Sequence, residues 1–83
     1  MRLYKCHTGK CNISGQRIRE LREASEMSQE QLAAKIQLLD HDINQKAISR
    51  IETGDRVVPD YELLYFSKIF QVSVYELLGI DEH

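Results

Sequence analysis

Apolar side chains recur at intervals of three and four from Ile18 to Leu78, and no stretch alternates apolar with polar as a half-buried strand does. That spacing predicts helices throughout, so the expected fold class is all-α with five short helices. Ser14 is the expected cap of the first, which runs to about Ser25 with Ile18 and Leu21 inward. Ser28 opens the second, about residues 28–38. Ser28-Gln29-Glu30-Gln31 has the Ser-x-x-Gln form in which cap and third residue bond each other's backbone, and Leu32, Ala33 and Ile36 form the buried stripe. Asn44 caps a third helix, about residues 45–53, which Gly54 ends. Asp60 is the expected cap of a fourth with Leu63, Leu64, Phe66, Ile69 and Phe70 as its apolar positions, and Ser73 caps a fifth from Val74 to Leu78, stopped by Gly79. Once Ile48 and Ile51 turn inward, the third helix leaves Gln45, Lys46, Ser49 and Arg50 along its outer side.

Eighty-three residues make one small domain, expected over 14–83, preceded by a basic and flexible extension over 1–13. A composition of 42% hydrophobic and 29% charged residues argues against disorder and low complexity. No apolar run approaches the roughly 18 residues that span a bilayer, and the first residues lack the apolar core of a secretory signal, so the expected location is the cytoplasm, with no membrane partner. The net charge of −2 hides an asymmetry: Met1 to Arg22 holds six basic side chains against Glu20, while Asp60 to His83 holds five acids against Lys68. A chain with such ends can carry one basic face and remain acidic in total. No nucleophile-and-base set, phosphate-cradling glycine loop or inward pair of carboxylates is visible, so no enzyme and no cofactor are expected.

The ordered set Gly15-x-x-Ile18-Arg19-x-Leu21-Arg22, Ser28-Gln29-x-x-Leu32-Ala33, Ile48-Ser49-x-Ile51-Glu52-x-Gly54 and Val72-Ser73-Val74-x-x-Leu77-Leu78 resembles the helix-turn-helix domains of the lambda-type repressor and Cro group, the Xre family. It covers about residues 14 to 79. The resemblance implies a compact five-helix, lambda-repressor-like domain whose third helix reads the major groove. On that reading Gln45, Lys46, Ser49 and Arg50 contact bases, with Gln45 suited to adenine and Lys46 and Arg50 to guanine. Ser28 and Gln29, at a helix N-terminus, together with Lys10, Arg17, Arg22 and Arg56, are the expected phosphate contacts. Arg22 and Glu52 are expected to form a structural ion pair between the first and third helices.

The partner implied is a double-stranded DNA operator, bound by a homodimer whose expected patch is Val74, Tyr75, Leu78 and Ile80. The function expected is transcriptional regulation by repression; the alternative is the antitoxin of a toxin–antitoxin pair, which would also bind a toxin protein.

Two stretches depart from the family pattern. The span from Ile36 to Asn44 is about five residues longer than the common turn. Either the second helix extends through Leu39 or the turn is an enlarged loop with Ile43 beneath it, and His41 is expected as an exposed loop histidine, a phosphate contact being the rival. The extension carries Cys6, His7 and Cys11, one ligand short of a closed zinc site and loosely spaced for one. Free thiols and no metal are expected there, a thiol- or metal-responsive sensor being the other use of such a set.

Overall fold

A computed structural model of the chain describes residues 9–80 and contains α1 (Gly15–Ala24), α2 (Gln29–Gln37), α3 (Gln45–Thr53), α4 (Asp60–Phe70) and α5 (Val74–Leu78), with no strand among the described residues. Each helix sends at least one side chain to a common centre: Ile18 from α1, Leu32, Ala33 and Ile36 from α2, Ile48 and Ile51 from α3, Phe66 from α4 and Leu77 from α5. Burying each of the larger ones contributes about 1.5–3 kcal/mol relative to leaving it in water. No helix among the described residues is long and apolar enough to cross a membrane.

The helix starts show how local chemistry sets the elements. Ser28 Oγ accepts from the Gln31 backbone N–H at 3.0 Å and Gln31 Oε1 accepts from the Ser28 N–H at 2.7 Å, which closes the reciprocal cap of α2. Asn44 Oδ1 accepts from Ala47 N–H, and Ser73 Oγ from Glu76 N–H. Gly54, at φ 87°, ends α3 in the left-handed conformation that glycine adopts without cost.

Two expected caps differ. Ser14 makes no side-chain cap bond, because it already has helical backbone angles (φ −97°, ψ −13°) and is buried. Asn12 takes the role, its Oδ1 accepting from Gly15 N–H at 2.8 Å. Asp60 lies inside α4, whose cap position is Pro59; there the Asp60 carboxylate meets the positive end of the helix dipole without bonding the backbone.

Asn12 also fastens α1 to α3. Its Nδ2 donates to Ile51 O at 3.0 Å and to Arg56 O at 2.7 Å. Cys11 N–H donates to Gly54 O, and Lys10 Nζ to Thr53 O. Residues 10–12 therefore lie against the carbonyl end of α3. Residues 1–8, with Cys6 and His7, fall outside the described residues.

The long connection between α2 and α3 is the enlarged loop. Leu39 N–H and Asp40 N–H donate back to Ile36 O and Gln37 O, Asp40 turns the chain at φ 63°, and Gln37 Nε2 donates to Ile43 O at 2.7 Å. Ile43 is buried beneath it. His41 is not an exposed loop residue. Its Nε2 meets Glu62 Oε2 at 2.7 Å, and its ring stacks on Tyr65 and stands edge-on to Tyr61. The cause is Glu62, a carboxylate only 1% exposed on α4, which needs donors and takes them from His41 and bidentately from Arg56 at 2.7 and 3.0 Å.

Candidate nucleic-acid interface

α3 owes its orientation to both of its sides. Ile48 and Ile51 are wholly buried, and the approach of α1 to its far end is so close that a Cβ on Gly15 would stand 2.0 Å from Ile51 O. Buried Ala33 provides the matching small surface on α2. On the opposite side Gln45, Lys46 and Arg50 are exposed and Ser49 is half-buried, so the four side chains lie together along about one and a half helical turns. Nothing in the packing requires them.

The basic side chains divide into two groups. Arg22 donates through Nε and Nη2 to Glu52 at 2.7 and 3.1 Å and through Nη1 to Met27 O at 2.7 Å, and its side chain is only 12% exposed. Hydrogen bonding to Glu52 raises the Arg22 guanidinium still further above its usual value. Arg56 is held by Glu62, and Arg17 by Glu76 and Glu20. Lys10 is turned to the Thr53 carbonyl. Among the described residues, no carboxylate comes within ion-pair distance of Lys46 or Arg50. Of the expected phosphate contacts, Lys10, Arg17, Arg22 and Arg56 thus spend hydrogen-bonding capacity within the protein, whereas the cations on the outer side of α3 keep theirs.

Ser28 and Gln29 lie beside this surface at the start of α2. Ser28 is exposed, and its hydroxyl oxygen accepts in the cap while its O–H remains a donor. The Gln29 side chain joins the two helices: Nε2 donates to Glu52 Oε1 at 3.0 Å, and Oε1 accepts from Gln45 Nε2 at 2.6 Å. Sequence reading missed this bridge, whose ends lie 16 and 23 residues from Gln29. It also missed the Arg56–Glu62–His41 cluster and the several bonds of Asn12. For Asn12 a local signal existed, since an Asn three residues before a helix-opening glycine has the spacing of a side-chain cap.

Away from this surface, Tyr75 and Ile80 are about half exposed, with Val74 and Leu78 partly covered beside them. α3 therefore offers donors, acceptors and positive charge that no carboxylate among the described residues pairs, on a rod about 10 Å across, the width that enters a major groove.

A family model described as a helix-turn-helix domain matches residues 15–78. Comparisons with curated proteins and with solved structures give no match.

Proposed function

We propose that this chain, which belongs to the helix-turn-helix domain family, is a sequence-specific transcriptional regulator of the Xre type that represses by occupying a double-stranded DNA operator. The observation that carries this reading is the outer face of α3: Gln45, Lys46, Ser49 and Arg50 are left over once packing is satisfied, and among the described residues neither cation there has a carboxylate partner. In a major groove Arg50 and Lys46 donate to guanine O6 and N7, and Gln45 offers its amide to adenine. Ser28 O–H and the free backbone N–H groups that open α2 take the adjacent phosphate. Arg22 and Arg56 act at one remove, by holding α3 and the segment that follows it.

A lone module of this size covers little DNA, so two copies acting on two half-sites about one helical turn apart give the affinity and the symmetry that regulation needs. Val74, Tyr75, Leu78 and Ile80 form the surface for that pairing. Selection from random duplexes at low salt tests the reading; an enriched motif with two-fold symmetry is expected, and recovery of no preferred sequence would overturn it. Sedimentation of the protein alone and on its selected duplex tests the dimer, which a strict monomer in both would refute.

A further inference from the structure

α4 buries Glu62 and Phe66 and turns Tyr61, Leu64 and Lys68 outward, with Tyr65 half-buried beside them. These four positions recur at intervals of three and four, so they form one stripe along the helix. Tyr61 is 50% exposed and Leu64 54%. The Tyr61 and Tyr65 rings stand 6.4 Å apart and both pack on His41, which holds them in place. The connection that carries His41 also presents Leu38, 84% exposed. An apolar surface fixed in this way loses little side-chain freedom when it is covered. Its charges are spaced evenly: Asp60 lies one turn before Leu64 and Lys68 one turn after it. Among the described residues neither has an ion-pair partner.

We propose that this stripe is a self-association surface, on which a second copy of the chain lays its own α4 antiparallel about a two-fold axis passing between Leu64 and Tyr65. In that register the two Leu64 side chains meet at the centre. At each end Lys68 of one copy reaches the Tyr61 ring and the Asp60 carboxylate of the other, a cation–π and an ionic contact together. The axis makes each contact twice, as an isologous interface requires. An unrelated partner has no reason to match an acid and a base spaced evenly about Leu64, whereas a second copy matches them by symmetry. α1 and α2 each pack on both α3 and α4, so contact through α4 leaves the outer face of α3 free. The surface uses other residues than the patch around Tyr75, and the inference does not rest on what α3 contacts.

The test is sedimentation of the full chain, kept reduced and free of DNA, at micromolar to submillimolar concentration. It is run in a Tyr75→Asp background, or Ile80→Asp if that variant unfolds, to remove association through α5. Asp60→Lys and Lys68→Asp each set like charges against each other across the axis, and each is expected to weaken association about tenfold. Mixing the two single variants, or combining both changes in one chain, brings opposite charges together again and is expected to restore association. Leu64→Asp is expected to abolish it. All three side chains are exposed, and circular dichroism checks that each variant stays folded. A background protein that remains monomeric throughout the range overturns the proposal and leaves the stripe to a different partner. Association that survives Leu64→Asp, or that the charge changes neither weaken nor rescue, overturns it as well. Duplex selection reports on α3 and not on this stripe, so the two readings fail separately.

Discussion

Arg22–Glu52 and Arg56–Glu62 share one chemistry: each is bidentate, each carboxylate side chain is 2% exposed, and each accepts a further bond from a residue distant in sequence. Their surroundings differ. Beyond Glu52 lie two amides that end on the outer face of α3, so that pair is continuous with the surface read as DNA-binding. Beyond Glu62 lies His41 against two tyrosine rings, so that pair fastens the long α2–α3 connection to α4 and goes no further. On that reading one ionic motif serves recognition in one place and anchorage in the other, according to what its third donor touches.

The largest expected effect comes from Glu62→Ala, which leaves Arg56 and His41 without their acceptor and should cost about 4 kcal/mol in urea unfolding. Base preference on a selected duplex, measured where the variant is folded, should not change. Glu52→Ala should cost about 3 kcal/mol and also blur base preference. Equal loss of preference in both variants would erase the distinction between the two clusters.

Acid tests the Glu62 cluster in another way. Burial pushes the Glu62 carboxyl up, but hydrogen bonds from Arg56 and His41 outweigh it and hold the group below the ordinary carboxylate range. A carboxyl with a depressed folded value contributes stability that is fully present above its unfolded value of about 4.3 and is lost as pH falls through the folded one. Melting temperature should therefore drop below about pH 4.3, and Glu62→Gln should show less of that drop. His41→Phe keeps the ring against Tyr65 and removes one donor to Glu62, for an expected cost of about 1 kcal/mol in urea unfolding. Arg17→Ala breaks a pair of the same chemistry whose side chains are 37% and 41% exposed, and the urea midpoint should not move measurably.

Features whose two ends lie within one turn of helix were legible in the sequence. The Ser28–Gln31 cap, the Asn44 cap and the Gly54 stop are all of this kind, and so are the apolar stripes that make the five helices. Where two residues could compete for a local role, pattern reading chose the wrong one: Ser14 and Asn12 are both cap formers, and the outcome depends on Ser14 being buried. The outer face of α3 could be read by subtraction, because Ile48 and Ile51 fix the inner side. Hydrophobic spacing alone does not join Arg22 to Glu52, 30 residues away, and only the ordered motif set brings them together. Nothing comparable marks His41 and Glu62. Their pairing across 21 residues depends on a turn longer than the family pattern, which turned a residue expected at the surface into a donor for a buried charge.

The bonds that Lys10 and Asn12 send to the end of α3 close the chain over 39 to 44 residues. Contacts of that separation pay a loop-closure cost before they return any stability, and so they form late. During synthesis, residues 10–12 leave the ribosome well before α3, and their set of partners is complete only once Arg56 has emerged. The carbonyl end of α3 is thus completed by a segment made well before it, which waits for its partners while the intervening helices are built.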